Sequence, residues 1–336
     1  MVRIGVVGAS GYIGGELLRL LLGHPEVEVV AATSTRLAGK RVDGSHPNLR
    51  GATALTYVPP ERLPDCDVLF TAAPGTPLDL IRRGKVVYDL SPDLRLRDPA
   101  AYRKHYDADP PAPELLDVVV TGWPERHRDA LAAADLVSIP GCMATASILA
   151  LHPLVAEELV DGPVTVDGRV GSSGSGVTAT SMNLHAERAG AWRVFAPNGH
   201  RHEAEIAQAT GLPVAMTATG MPAVRGVQVL CHLTARPGVT EQALRSAYRK
   251  HYADEPFVRV VAEKRGTYRL PEPKILAGTN FCDVGFGLDP ESGRLTLIAA
   301  LDNLVKGGAG NAVQCLNIRM GWPERSGLGF LGLHPV

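Results

Sequence analysis

Residues 3–15 read RIGVVGASGYIGG, an apolar run followed at once by a glycine-rich turn. The run has the β-branched content of a buried strand, and helical spacing of apolar residues begins directly after the turn. Gly8, Gly11 and Gly14 allow the backbone to approach a pyrophosphate closely, and the N–H groups at the start of the following helix attract its negative charge. The placement predicts a dinucleotide site between a first strand and a first helix.

The same alternation of strands and helices continues to residue 140. Short apolar runs are separated by stretches such as 15–22, whose apolar residues recur at helical spacing, and this is typical of βαβ units in a parallel sheet. The predicted strands are 3–7, 27–32, 68–73, 86–89 and 136–139. They predict an α/β, doubly wound domain of the Rossmann type.

Beyond residue 142 the pattern changes. A helix is predicted over 143–151, and the strands that follow it alternate in a way that indicates a sheet with one covered face. These strands are 164–170, 215–219, 226–233, 258–261 and 295–300. Helical spacing through residue 320 predicts a helix that returns to the first domain. We therefore predict a dinucleotide domain of residues 1–141 and 303–336, and an α+β substrate and oligomerisation domain of residues 142–302.

The end of the second predicted strand selects the dinucleotide. The acidic residue that usually binds the ribose of NAD is absent from TSTRLAGK, residues 33–40, whereas hydroxyl groups and Arg36 suit a 2′-phosphate. NADP is therefore favoured. A second glycine-rich loop, GSSGSG at 171–176, has the composition either of a phosphate cradle or of a flexible turn. The predicted cofactor-binding residues are Gly8, Ser10, Gly11, Tyr12, Ile13, Gly14, Ser34, Arg36, Pro74, Ser173, Gly174 and Asn303.

Cys142 is the candidate nucleophile. It follows Pro140 and Gly141 at the end of a predicted strand and precedes a helix, and a helix N-terminus stabilises a thiolate. The alternative is a small buried hydrophobic residue, the usual state of a free cysteine. We expect that state for the other four cysteines, which are Cys66, Cys231, Cys282 and Cys315.

His200 and His202, in HRHEAE, form a second candidate cluster at the start of a predicted helix. A histidine can transfer a proton at neutral pH, as reduction of an acyl-thioester requires. A solvated helix start is the plainer alternative. Because residues at i and i+2 do not share a helix face, we predict no metal site there.

Bulk composition excludes some functions. A formal net charge of -1 over 336 residues gives no field that would hold nucleic acid or an anionic membrane, and no apolar stretch is long enough to span a bilayer. We find no secretory signal at the N-terminus, and the five scattered cysteines fit a reducing compartment. A cytoplasmic protein is expected.

Four motifs together resemble the N-acetyl-γ-glutamyl-phosphate reductase family over nearly the whole chain. They are GASGYIGG at 8–15, PGCMATA at 140–146, GHRHEAEI at 199–206 and DNLVKGGAGNAVQ at 302–314. The resemblance implies an NADP domain, a second domain of the aspartate-semialdehyde-dehydrogenase type, and a homodimer or homotetramer. It also implies that Cys142 is the nucleophile and His200 the acid/base in reducing an acyl phosphate to an aldehyde.

The chain departs from the arginine-pathway pattern of that family, which has Tyr after the cysteine and Arg after the second glycine-rich loop. Met143 and Val177 stand there instead. Residues 185–190 and 193–195 look more like relatives that reduce an aminoadipyl or glutamyl phosphate attached to an acidic amino-group carrier protein. Free N-acetylglutamyl phosphate is the alternative substrate. A regulator that binds NADP without catalysis is the alternative from another class of protein.

Binding of the acyl phosphate is assigned to basic residues. Arginines and histidines can pair with the carboxylate or phosphate of a substrate, or with an acidic carrier. The predicted substrate-binding residues are Arg95, Arg188, Arg193, Arg201 and His202, and Arg225 is a further candidate for docking a carrier. Each of these arginines has the alternative of a simply solvated side chain.

Overall fold

The computed structural model describes residues 1–75, 78–81 and 85–335, and its contacts divide into two units. Unit 1 comprises Met1–Arg103, Ala108–Pro140 and Gly308–Gly329. Unit 2 comprises Lys104–Asp107, Gly141–Gly307 and the C-terminal residues from Phe330.

Unit 1 contains a seven-stranded parallel sheet in the order β3-β2-β1-β4-β5-β7-β6. The chain runs outward from β1 to one side and then resumes on the other side with β4, so the strand order reverses between them. That reversal marks the ligand crevice in doubly wound folds. The strands are β1 (Val2–Val7), β2 (Val27–Thr33), β3 (Tyr57–Val58), β4 (Val68–Thr71), β5 (Val86–Asp89), β6 (Val120–Thr121) and β7 (Leu136–Ser138).

Unit 2 contains a seven-stranded mixed sheet in the order β12-β13-β14-β11-β8-β10-β9. Parallel pairs join β8 to β10 and β12 to β13, and the other neighbours are antiparallel. The strands are β8 (Val164–Val170), β9 (Arg193–Ala196), β10 (Val214–Gly220), β11 (Val227–Thr234), β12 (Val258–Val260), β13 (Cys282–Leu288) and β14 (Arg294–Leu301).

The described helices differ widely in length and burial. They are α1 (Tyr12–Leu22), α2 (Val42–Ser45), α3 (Leu78–Ile81), α4 (Pro99–Tyr106), α5 (Pro124–Ala133), α6 (Cys142–Ala156), α7 (His185–Arg188), α8 (His202–Thr210), α9 (Glu241–Tyr252) and α10 (Gly310–Met320). A π-helical turn, Val305–Ala309, leads into α10. In the described ranges no helix combines the length and the apolar character that crossing a bilayer requires.

Helix α6 forms the centre of unit 2 and packs on strands β8, β11, β13 and β14. It is apolar on all sides, as expected for a helix buried between a sheet and other helices. Pro153 inside it has no N–H to donate to the Leu149 carbonyl oxygen, and the Tyr252 hydroxyl from α9 donates to that oxygen instead, at 2.7 Å. Tyr248 donates to the Ala150 carbonyl oxygen at 2.6 Å. These bonds fasten the helix that begins at Cys142 to α9.

One face of the unit 2 sheet is covered by α6, α8 and α9. The other face, the open face, is partly exposed at its centre, whereas Val261 and Pro271 lie against Gly285 of β13 at its edge. Side chains alternate along the strands between buried and partly exposed, as in a half-covered sheet. At the centre of the open face, Leu230 of β11 lies between Ile298 of β14 and Asp167 of β8, and all three are partly exposed.

The units end at positions close to the predicted boundaries, with two differences. Unit 2 extends through Gly307, beyond the predicted boundary at residue 302, because Gly307 packs against Cys142. The residues from Phe330 onward group with unit 2, whereas we predicted them in the dinucleotide domain. The Phe330 ring contacts Gly278, and Tyr268 pairs with His334, so these contacts account for the difference.

Candidate active site

The turn between β1 and α1 contains the predicted phosphate-binding glycines. Gly8 has φ of +73°, and a Cβ there would lie 2.8 Å from the Ala73 Cβ. A Cβ on Gly14 would lie 2.6 Å from the Ala9 Cα, so α1 approaches the turn more closely than a side chain would permit. Gly11 caps α1 without a side-chain hydrogen bond. The first N–H groups of an α-helix have no acceptor within the helix, so this terminus suits a pyrophosphate.

The end of β2 presents hydroxyl groups and a cation. The Ser10 and Ser34 hydroxyl oxygens lie 2.9 Å apart, and Ser34 Oγ accepts a hydrogen bond from the Leu37 N–H at 3.2 Å. Arg36 is exposed beyond them, as are Thr35 and Lys40. Tyr12 is exposed and Ile13 half-buried at the start of α1. These residues fit a dinucleotide with a 2′-phosphate.

Pro74 and Arg95 also lie in unit 1. Pro74 is exposed after β4, where the next residue, Gly75, donates its N–H to Asp93 Oδ2 at 2.7 Å. Arg95 lies in the loop after β5 and donates from Nη2 to the Leu90 carbonyl oxygen at 3.0 Å. Their roles in binding cofactor and substrate stay predictions.

Cys142 is the first residue of α6, and Gly141 is its N-cap residue. It is partly exposed, whereas Cys66, Cys231, Cys282 and Cys315 are buried. Burial raises the pKa of the Cys231 thiol to about 12. Position at a helix N-terminus and access to solvent therefore distinguish Cys142 from the other four thiols. Its role as the nucleophile stays a prediction.

Gly141 connects Cys142 to the histidine cluster. Its N–H donates to Glu205 Oε2 at 2.7 Å, and a Cβ at this position would overlap the His202 ring. His202 and Glu205 are nearly fully buried, with His202 Nε2 3.8 Å from Glu205 Oε1. Helix α8, which begins at His202, thus packs against the residue that precedes the nucleophile.

His200 lies next to His202 with its ring edge-to-face, and the ring centroids are 4.5 Å apart. The His202 backbone N–H donates to His200 Nδ1 at 3.2 Å, so the neutral imidazole of His200 has its proton on Nε2. Burial, with smaller contributions from Arg201 and His105, lowers the pKa of His200 to about 4. At neutral pH His200 is therefore an uncharged hydrogen-bond donor.

A cationic group borders His200. The Arg201 guanidinium is exposed and lies 6.0 Å from the centre of the Tyr106 ring, a cation–π distance. His105 and Tyr106 belong to the short segment at the end of α4 that groups with unit 2. The Phe195 ring also contacts His200, with the ring centroids 5.8 Å apart.

Two other predicted substrate-binding arginines are bonded to backbone carbonyl groups. Arg188 donates to the carbonyl oxygens of Ala191 and Met221, and Arg193 to those of Met182 and Glu187. Both arginines therefore stabilise the irregular segment between β8 and β10. Their role in substrate binding stays a prediction.

The second glycine-rich loop forms a short 3-10 turn, Ser172–Ser175. Asn303 Nδ2 donates to Ser173 Oγ at 2.9 Å, and Asn303 Oδ1 accepts from the Gly226 N–H at 2.8 Å. Gly174 is exposed beside Ser173. The three predicted cofactor residues of unit 2 are thus neighbours. Within the described ranges, no group of three or more His, Cys, Asp or Glu side chains could hold a metal ion.

Sequence reasoning did not assign roles to several residues of this cluster. The sequence showed Glu205 only as an acidic residue near the histidines. Nothing in the sequence around His105 and Tyr106 indicated that they lie near His200 and Arg201. The close approach of Gly141 to His202 had one local signal, a glycine directly before the candidate nucleophile.

Comparison with known proteins gives two family models that divide the chain as the structure does. The model described as Semialdehyde dehydrogenase, NAD binding domain, matches residues 3–134. The model described as Semialdehyde dehydrogenase, dimerisation domain, matches residues 142–303. Unit 1 therefore contains the nicotinamide-dinucleotide-binding domain.

Curated relatives match along the full length of the chain. The LysW-L-2-aminoadipate 6-phosphate reductase of Deinococcus radiodurans is 46% identical over 341 residues, covering 99% of this chain and 98% of the relative. A protein of Thermomicrobium roseum, provisionally given the same name, is 48% identical over 351 residues, covering 100% of both chains. A relative in Cenarchaeum symbiosum, provisionally named for both LysW-L-2-aminoadipate and LysW-L-glutamate phosphate reduction, is 46% identical, again over 100% of both chains.

Solved structures confirm the fold. Aspartate semialdehyde dehydrogenase II of Vibrio cholerae, complexed with ASA, superposes with a TM-score of 0.69 at 16% identity, covering 96% of this chain and 98% of that one. The aspartate semialdehyde dehydrogenase of Candida albicans, solved with NADP, has a TM-score of 0.66 at 17% identity, covering 95% and 98%. The chain belongs to the semialdehyde dehydrogenase family, within its group of LysW-linked aminoadipate and glutamate phosphate reductases.

Proposed function

We propose that this protein is an NADPH-dependent reductase that converts a carrier-linked α-aminoadipyl or glutamyl phosphate to the semialdehyde, in lysine- or arginine-type biosynthesis. The observation that carries the proposal is the position of Cys142, the first residue of α6, beside a residue that contacts both Glu205 and His202. The names of the relatives, all reductases of LysW-linked acyl phosphates, support this choice of substrate.

In the first step the Cys142 thiolate attacks the acyl-phosphate carbonyl carbon. A C–S bond forms, the C–O bond to phosphate breaks, and the departing phosphate takes up the one proton that the overall reaction consumes. The N-terminal end of α6 favours negative charge on the sulfur, and N–H groups of its first turn are placed to stabilise the carbonyl oxygen as it becomes anionic. The product of this step is a thioester on Cys142.

His200 acts on the same oxygen in the second step. NADPH, when bound, supplies the hydride that reduces the thioester carbon. The oxygen of the resulting thiohemiacetal then carries negative charge, and the proton held at His200 Nε2 hydrogen-bonds to it until the C–S bond breaks. A neutral histidine suits this task because it offers a donor without requiring a charge in a half-buried site. The aldehyde leaves and Cys142 returns to the thiolate.

The turn after β1 and the end of β2 have the residues that fit NADP. The turn at Gly8, Gly11 and Gly14 and the start of α1 would hold the pyrophosphate, and Ser34 with Arg36 would favour NADP over NAD. Pro74, Ser173, Gly174 and Asn303 belong to the same proposal.

Arg201 is the proposed contact for the free carboxylate of the acyl chain, because it is exposed and lies next to His200 in the chain. A carrier also needs a docking surface. Arg188 and Arg193 can serve that role through the segment that they stabilise, since bonding to carbonyl oxygens leaves their positive charge in place. Arg95 and His202 complete the proposed substrate set.

Self-association through unit 2 is part of the proposal. The family model that covers residues 142–303 is described as a dimerisation domain. The open face of the sheet, with Leu230 and Ile298 at its centre, is a flat surface that a second copy can cover. A cytoplasmic location is proposed as well, because free thiols persist in a reducing compartment.

The decisive experiment runs the reaction in reverse with purified protein, NADP, inorganic phosphate and one of two aldehydes. Phosphate-dependent NADPH formation with a carrier-bound semialdehyde, and none with free N-acetylglutamate semialdehyde, is expected. Turnover of the free aldehyde alone would overturn the carrier-linked substrate. Silence with both aldehydes, while NADP binds and Cys142 can be alkylated, would favour a binding protein without this activity.

A further inference from the structure

The turn that follows β14 is fully enclosed. Residues 302–307 are all buried, including the charged side chains of Asp302 and Lys306. The N–H groups of Val305 and Gly307 both donate to the Asp302 carbonyl oxygen, at 3.2 and 3.0 Å. The backbone of this turn therefore has a defined conformation from Asp302 to Gly307.

Gly307 lies directly against the nucleophile. A Cβ at this position would be 2.5 Å from the Cys142 Cβ and 3.1 Å from the Cys142 Cα, and the first of these distances is shorter than real contacts allow. No side chain fits at residue 307 unless Cys142 moves. The position of the turn thus limits where Cys142 can lie.

The Asp302 carboxylate holds this turn in place. Oδ1 accepts from the N–H groups of Leu304 and Val305, at 2.8 and 3.2 Å. Oδ2 accepts from the Gly278 N–H at 2.6 Å and from Arg225 Nη1 at 3.2 Å. One fully buried carboxylate with four donors thus joins the turn to the loop before β13 and to Arg225, two residues before β11.

Arg225 pairs with the Asp302 carboxylate through charge. Its guanidinium lies 3.2 Å from Asp302 Oδ2, and its side chain is 30% exposed. Its role in docking a carrier stays a prediction. A buried carboxylate requires such a counterion or several N–H donors, and Asp302 has both.

We propose that Asp302 is a positioning residue for Cys142, acting through the turn that ends at Gly307. The inference rests on the proposed role of Cys142 as the nucleophile. Asp302 does not touch substrate in this proposal. Its donors hold the turn in place, and the turn limits the position of the Cys142 sulfur. The acyl carbon must align with that sulfur to react. A displacement of about 1 Å at a reacting atom can lower a rate by about 10²-fold.

The first test is Asp302→Asn in the full-length protein, which keeps the side-chain volume but replaces one acceptor oxygen with an NH₂ group. Whichever oxygen the NH₂ group replaces, two donors lose their acceptor: Leu304 and Val305 at Oδ1, or Gly278 and Arg225 at Oδ2. We expect kcat to fall by at least tenfold, while KM for the acyl substrate and the Kd for NADPH change little.

For the same variant, Asp302→Asn, we also expect slower iodoacetamide alkylation of Cys142, with its half-maximal rate at a different pH. Because the other cysteines are buried, alkylation of the folded protein reports on Cys142.

A residue that only stabilised the fold would give another result. The melting temperature would fall, but kcat per folded molecule and the pH dependence of alkylation would equal those of the wild type, and that outcome would overturn the proposal. The alkylation measurement needs no substrate, so it remains decisive even if the protein acts on neither aldehyde.

A second variant keeps the test decisive if Asp302→Asn does not fold. Gly307→Ala places a methyl group against Cys142, whereas Gly287→Ala, on β13, places the same group where nothing lies within 4 Å. We expect Gly307→Ala to lose at least tenfold in kcat and to alter Cys142 alkylation, and Gly287→Ala to match the wild type. Unchanged alkylation and turnover in Gly307→Ala would contradict the inference.

Discussion

At Gly141, the adjacent His202 ring leaves room for a hydrogen atom and nothing larger. This single position joins the nucleophile to the histidine cluster, because its N–H also binds Glu205. The motifs predict roles for Cys142 and His200 from local signals, a helix start and a histidine pair. They could not predict the contact between Gly141 and His202, since those residues are far apart in sequence and only tertiary packing joins them. The pairing of Asp302 with Gly278 and Arg225 was invisible for the same reason.

Substitution of Cys142 tests the covalent step. We expect Cys142→Ala to lower turnover by at least about 10³-fold, because no other thiol is accessible and the thioester cannot form. NADPH affinity, measured by the quenching of protein fluorescence, should equal that of the wild type. Cys282→Ala removes a buried thiol and serves as the control, with turnover retained by the folded protein. Substantial turnover by Cys142→Ala would exclude the covalent mechanism.

His200 should leave a signature in the pH dependence of stability. Its pKa is about 4 in the folded protein against 6.5 for the free side chain. Between these pH values the unfolded chain binds more protons than the folded protein, so this contribution to stability rises with pH and is lost as pH falls towards 4. In His200→Asn this contribution is absent. The melting temperature of the wild type relative to that of the variant should therefore increase between pH 4 and pH 7.

Parallel curves for the wild type and His200→Asn over this pH range would show that His200 is not held in the neutral form by its surroundings.

Among the elements, most strands of both sheets were predicted, whereas β3, β6, β9, β13 and the helix α9 were not. The apolar alternation over Val164–Val170 matches β8 at both ends. By contrast, β3 and β6 have two residues each, too few to show a period, and β9 has four residues, two of them exposed, so no alternation marks it. Strand β13 was missed although it is long, because its buried residues are nearly continuous and include Asp283 and Gly285. Its burial depends on neighbouring strands and loops rather than on its own pattern.

The contribution of the start of α1 to NADP affinity can be measured. Gly14→Ala would place a methyl group 2.6 Å from both the Ala9 Cα and the Gly8 carbonyl oxygen, so α1 must move away from the turn. We expect NADP affinity to fall by at least about tenfold, since the first-turn N–H groups then no longer meet the phosphates. Gly44→Ala, in α2, adds the same group where nothing lies within 4 Å and should leave affinity unchanged. Equal affinities for the two variants would contradict the proposed cofactor site.

For the whole molecule, the sequence predicts two domains and a chain that returns to the first near its end, and Gly308–Gly329 groups with unit 1. The residues from Phe330 group with unit 2, and no pattern in the sequence marks Phe330 as a partner of Gly278. The open sheet face could not be recognised in advance either, since alternation shows that one face of a sheet is covered but not what lies on the other.

The open face of the unit 2 sheet gives a prediction for the oligomeric state of the protein. We expect Leu230→Arg to shift the protein from an oligomer to a monomer in sedimentation velocity, because the new charge would be buried between two copies. Val118→Arg places the same charge at an exposed position of unit 1 and should leave the assembly unchanged. An oligomer that persists in Leu230→Arg would place the interface elsewhere.

Helix α6 belongs to the same unit as His200, His202 and Glu205, whereas the glycine-rich turn belongs to the other. The two halves of the proposed reaction therefore depend on different parts of the chain. Acyl transfer to sulfur consumes no hydride, so it should be reversible without any reductant. Labelled inorganic phosphate should therefore enter the acyl phosphate in the absence of NADPH.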